Sequence, residues 1–129
     1  MSFLVDFDDV PPLDVWGPAV RARSINGERV TLALVELGPD APVPEHRHEN
    51  EQMGMVITGT MTFTVDGETR TLGPGGTWRI PPNRPHHAVA GPEGAVVVDL
   101  FAPLRTDWDE RPHLDPRPAA WPGRTATGD

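Results

Sequence analysis

Two histidines two residues apart, His46 and His48, stand in the run "EHRHENEQMG" (residues 45–54), and Glu51 and Gln52 follow within four residues. The bland reading is a polar loop with two exposed imidazoles. The sharper one is a chelate, because one extended segment presents both rings of a His-x-His pair to a single divalent transition ion. Residues two apart face the same side of a strand. His46, His48 and Gln52 share parity, and Glu51 does not, so in an extended chain the amide joins the histidines and the carboxylate turns away. Further along, the proline-rich turn "GGTWRIPPNRPHH" (residues 75–87) delivers His86 and His87, of opposite parity, at the start of an apolar run. A second chemical group is Asp99, alone in "AVVVDLF" (residues 95–101). On the outer face it is an ordinary solvated carboxylate. On an inner face, beside a cation, burial raises its pKa and the cation lowers it, which suits a general acid or base.

The elements that would position these groups are short. Sixteen prolines and thirteen glycines leave little room for long helices. Asn26-Gly27 precedes the alternating run "RVTLALVEL" (29–37), "MGMVITG" and "TMTFTV" follow, and Asp66-Gly67 marks the next hairpin. "TWRIP" (77–81), "HHAVA" (86–90) and "AVVVDLF" complete a set of strands at roughly ten-residue spacing, the pattern of an all-β sandwich or barrel. With 129 residues the chain reads as one domain: a core over about 25–102, an N-terminal arm over 1–20, and a proline-rich tail over 103–129 with Trp108 and Trp121 as anchors. Parity places Val56, Phe63, Trp78, Val97 and Phe101 on the inner side. Met53, Met55 and Ile57 fall on the other face, whose apolar character calls for cover by the arm or by a second subunit, here a homodimer.

The two halves of the chain resemble the two motifs of a small single-domain cupin, and the match runs over roughly residues 30–101. The first motif, G-x5-H-x-H-x3,4-E-x6-G, is met by His46, His48, Gln52 and Gly59, with Gln in place of Glu and Gly38 two residues too far upstream. The second, G-x5-P-x-G-x2-H-x3-N, is met by Gly75, Pro81 and His86, with Asn83 for the second glycine and Ala90 for the last Asn. Asn tolerates a left-handed turn position. The resemblance implies a jelly-roll barrel (the double-stranded β-helix) holding one divalent transition ion, Zn, Ni, Fe, Mn or Co, on His46, His48, Gln52 and His86. The motif spacing selects His86 over His87, and His113 lies outside both motifs as a surface residue.

Three imidazoles and an amide are all neutral, so such a site keeps the ion's full 2+ charge and acts as a strong Lewis acid. That tilts the expected chemistry toward proton transfer, enolate stabilisation, ring opening or closing, and dehydration. "DLFAPLRTDW" (99–108) is similar to the ending of small cupins that linearise unsaturated uronates, which also carry the glutamine. The similarity implies a catalytic role for Asp99 and substrate contacts for Phe101 and Arg105, with Phe63 and Trp78 as further pocket residues. Cupin-type polyketide cyclases share the general plan. The expectation is a metal-dependent isomerase, lyase or cyclase acting on a small carbonyl or enol substrate. The alternatives are a cupin dioxygenase or a non-catalytic small-molecule-binding cupin. A net charge of −8 argues against nucleic acid and anionic membranes as partners. The absence of cysteine excludes thiolate sites and disulfides. With no apolar run of spanning length and no basic leader in "MSFLVDFDDVPP", the expected compartment is the cytoplasm.

Overall fold

A computed structural model describes residues 2–120. Trp121, expected as an anchor, lies outside the described residues. Eight strands form the fold: β1 (Leu13–Asp14), β2 (Val20–Asn26), β3 (Thr31–Leu37), β4 (Pro42–His46), β5 (Glu51–Val65), β6 (Glu68–Leu72), β7 (Thr77–Ile80) and β8 (His86–Ala102). Their order is β1-β2-β3-β8-β5-β6, with β4 added to β8 and β7 to β5, and every pairing is antiparallel. The result is an all-β fold, as the strand spacing predicts, with the jelly-roll form that the resemblance implies. Among the described residues no helix is long and apolar enough to cross a membrane.

Two expected pairs of strands are each one long strand. "MGMVITG" and "TMTFTV" fuse into β5, and "HHAVA" and "AVVVDLF" fuse into β8. The glycines that look like breaks are places where the strands bend together. The β5–β8 register shifts between Val56 and Thr58 and again between Gly59 and Met61. Gly59 (φ 78°) and Gly94 (φ 76°) meet at this bend, and a Cβ on Gly59 would run into the Gly94 carbonyl. Asp66-Gly67 makes the β5–β6 hairpin with both residues at positive φ, 48° and 89°, as a type I′ turn requires.

Strand β2 carries no clear strand signal, because its centre is charged. Arg23 is nevertheless fully buried. Its Nε donates to Glu36 Oε1 on β3 at 3.1 Å, Nη1 donates to the Phe7 and Val10 carbonyls, and Nη2 donates to the Arg117 carbonyl. One guanidinium therefore fastens both terminal segments to the sheet. Those segments supply Phe7, Ala119 and Ala120, which pack on Leu34, Val96 and Ile57. Cover of the outer face stops there: Met53 and Met55 remain 50% and 41% exposed. The inner face holds the main core, with Val20, Ala22, Val35, Leu37, Met61 and Val97 all buried.

Candidate metal centre

His46 ends β4, His48 lies in the following loop, Gln52 is the second residue of β5, and His86 opens β8 directly opposite His46. One ring nitrogen from each histidine lies within 4.8 Å of the other two. That is close to the end-to-end span of two metal–imidazole bonds, about 4.2 Å. Each ring is held by its other nitrogen. Nδ1–H of His46 donates to the Pro44 carbonyl at 2.7 Å, that of His48 to the Asn50 carbonyl at 3.0 Å, and that of His86 to the Arg84 carbonyl at 2.8 Å. A carbonyl only accepts, so the proton sits on Nδ1 and each Nε2 carries a lone pair. Nε2 of His48, Nε2 of His86 and Oε1 of Gln52 are buried with no protein partner. Buried acceptors are rarely left in this state, and this donor set fits a divalent transition ion.

Electrostatics point the same way. Burial lowers the His46 pKa to about 4, against a smaller opposing effect of its bond to Pro44, and the neighbouring imidazoles and Arg105 add to the depression. His48 and His86 are likewise held below the ordinary histidine value, mainly by burial. All three are therefore neutral near pH 7, the form that binds metal.

Glu51 is exposed and Gln52 buried, so the parity reading holds at this step of the chain. His87 stands half-exposed with Nδ1 3.8 Å from Glu45 Oε1, outside the three-histidine group. His113 is exposed in the tail and bridges to Leu13.

Asp99 is buried in β8. Its Oδ1 accepts from Gln52 Nε2 at 2.9 Å and from Trp78 Nε1 at 2.7 Å. Burial pushes its pKa up to about 6, against the opposing pull of those two bonds and of Arg105. Asp99, Gly54 and Trp78 are cross-strand neighbours on β8, β5 and β7. A Cβ on Gly54 would collide with both Asp99 Oδ1 and the Trp78 indole. The middle strand carries no side chain there, and its two neighbours bond across the gap.

A chamber lies beside these groups, lined by His46, Gln52, His86, Asp99, Phe101 and Arg105 and by aliphatic residues of β2, β3, β5 and β8. Phe63 and Val97 line it as expected, but Val56 and Trp78 do not. The Trp78 indole is instead stacked on Phe63 at 4.3 Å and committed to Asp99. The lining from β2 was missed with the strand itself. Trp16, from the N-terminal segment, packs on the His46 ring at 4.6 Å. No spacing in the sequence connects the two.

Arg105 is 4% exposed, with its guanidinium 4.6 Å from the Phe101 ring and 4.5 Å from the Trp108 ring. Nε and Nη2 engage Asp107 at 3.0 Å each, and no hydrogen bond occupies Nη1 among the described residues. Two further polar residues, not singled out in the sequence, hold the Arg105 loop. Thr31 Oγ1 accepts from the Arg105 amide at 3.0 Å, and Asn50 Nδ2 donates to the Pro103 carbonyl at 2.6 Å. Because the Asn50 carbonyl also receives the His48 proton, this one residue ties His48 to the arginine loop.

The profile of the cupin domain matches residues 33–101. The chain is similar to the pectin degradation protein KdgF of Dickeya dadantii, 27% identical over 103 residues, covering 78% of this chain and 94% of that protein. It is also similar to the dimethylsulfoniopropionate lyase DddW of Ruegeria pomeroyi, 28% identical over 87 residues. That match covers 67% of this chain, which spans only 57% of the lyase. Among solved structures, KdgF from Halomonas sp. superposes with a TM-score of 0.74 at 30% identity, covering 82% of this chain and 98% of that one.

Proposed function

This chain belongs to the cupin family, and we propose that it is a metal-dependent enzyme of non-redox type, an isomerase or lyase acting on a small carbonyl or enol substrate. The observation that carries the reading is the placement of Gln52. Its amide oxygen is buried and unpartnered beside the histidines, and its amide N–H is bonded to Asp99. One side chain thus joins a metal-binding set to a carboxyl with a raised pKa.

His46, His48, His86 and Gln52 would hold the ion, which when bound supplies Lewis-acid polarisation of a carbonyl or enol oxygen. Asp99 takes a proton from the carbon next to that carbonyl and returns it, or delivers it elsewhere on the substrate. Burial raises its pKa to about 6 without the ion, and a bound cation would lower it toward the carboxylate form that accepts a proton at neutral pH. Gln52 and Trp78 fix Oδ1, and no hydrogen bond reaches Oδ2 among the described residues, which leaves that oxygen for the proton. Arg105 receives an anionic group of the substrate through Nη1. A relative named as a lyase and two named KdgF, one as a pectin degradation protein, support catalysis without electron transfer.

The test is proton exchange in D2O. Metal-loaded protein is expected to wash deuterium into the position next to the carbonyl of a 2-oxo acid. Asp99→Asn is expected to keep fold and metal and to slow exchange by about a hundredfold or more. Exchange at the wild-type rate in that variant refutes the role.

A further inference from the structure

We propose that the chamber selects a small acid with an apolar body, such as a branched or aryl 2-oxo acid, and disfavours polyhydroxylated sugar acids. The inference rests on the reading of the site above and adds the class of substrate to it.

The polar groups of the chamber have specific tasks. His46, His86 and Gln52 face the proposed ion, Asp99 is the proton carrier, and Arg105 offers Nη1 to an anion. His87 also lines the chamber, half-exposed, with Nδ1 3.8 Å from Glu45 Oε1, beyond hydrogen-bond distance. No serine, threonine, asparagine, lysine or glutamate is among the lining residues. The two remaining polar groups are the indoles of Trp16 and Trp108. The rest of the wall is apolar, Phe63 and Phe101 among aliphatic side chains, and Val20, Ala22, Val35, Leu37, Met61 and Val97 within it are at most 8% exposed. The backbone between these residues is occupied in the sheet ladder, where Val20 pairs with Leu37, Ala22 with Val35 and Val35 with Val97.

A sugar acid carries a hydroxyl on nearly every carbon. Trp108 Nε1–H is the one buried indole donor without a partner among the described lining residues; every other hydroxyl pressed against the apolar wall gives up its water and gains no partner, which weakens binding roughly tenfold apiece. An apolar side chain gains from the same surface. The acid's carboxylate would lie on Arg105 and its keto or enol oxygen toward the three histidines, leaving the apolar body against β2 and β3.

The test is calorimetric titration of 4-methyl-2-oxopentanoate and of D-galacturonate into the Zn(II)-loaded and the metal-free protein. The oxo acid is expected to bind at least about tenfold tighter than the sugar acid in both forms. Val35→Thr and Val97→Thr, each adding a hydroxyl at nearly constant shape, are expected to narrow that ratio. Equal or tighter binding of galacturonate overturns the inference, and so does failure of both acids to bind at millimolar concentration. Zn(II) loading, measured on the same samples, separates the two levels. Normal loading with the wrong ranking removes only the substrate class. No loading with the expected ranking in metal-free protein removes the metal reading and leaves the chamber's selectivity standing.

Discussion

Gln52 donates its amide proton to Asp99, with Nε2 2.9 Å from Oδ1. A glutamate at this position would lack that proton and set a second carboxylate against the first. The amide is therefore matched to the aspartate on β8 as well as to the histidines. Like charges about 3 Å apart do not both ionise readily. Gln52→Glu is expected to retain metal, since a carboxylate is a stronger ligand, while the Asp99 pKa moves upward by about one unit or more. The pH–rate profile of proton exchange reads that shift directly. An unmoved profile would show that the two side chains are not coupled.

Asp99 also sets a pH dependence of stability in metal-free protein. Its folded pKa, about 6, lies above the ordinary 3.8. A carboxyl raised in this way favours the folded state when protonated. Its contribution is full below about pH 3.8 and is lost as pH rises through about 6. The neutral histidines act in the opposite sense, and His46 favours folding above its ordinary 6.5 and loses that contribution as pH falls through about 4. Asp99→Asn removes the first effect alone. Urea denaturation in chelator is expected to show the variant more stable than wild type by roughly 3 kcal/mol at pH 8, with little difference at pH 4. A pH-independent difference would contradict the raised pKa.

Gly54→Ala places a methyl group where Asp99 and Trp78 meet. The cost in stability is expected to be about 1–3 kcal/mol, as for other over-packed interiors. The proton-exchange rate should fall further than that loss explains, because the hydrogen bond that orients the carboxyl is broken. Retention of the wild-type rate in the folded variant would argue against orientation by Trp78.

How much of this was legible depended on whether a residue's partner lay nearby in sequence. The His-x-His spacing, the parity that buries Gln52 and exposes Glu51, and the turns at Asp66-Gly67 and at Asn83 (φ 63°) are local, and all could be read directly. Strand β2 could not, because Arg23 looks solvated until Glu36, thirteen residues away, is seen beside it. The commitment of Trp78 to Asp99 depends on three strands meeting at Gly54, which no linear spacing encodes. Asn50 carries no local signal in the sequence, although it anchors a loop more than fifty residues further on.

Arg23 offers a test of the fold apart from the site. Arg23→Ala leaves the Glu36 carboxylate buried and uncompensated and releases both terminal segments. The expected loss is about 3–5 kcal/mol, with faster proteolysis ahead of Val10 and after Leu114. Replacing both partners by apolar residues, Arg23→Met with Glu36→Leu, should restore most of the stability but not the protection of the termini. Restored protection in the double variant would show that the guanidinium does not hold the ends.

The most direct measurement is metal content. Tag-free protein, stripped with chelator, refilled with Zn(II) and desalted, is expected to carry about one ion per chain, and His86→Ala and Gln52→Ala are expected to lose most of it. Wild-type protein that retains essentially no ion, or loading that is indifferent to His86, would contradict the metal centre on which the proposed chemistry depends.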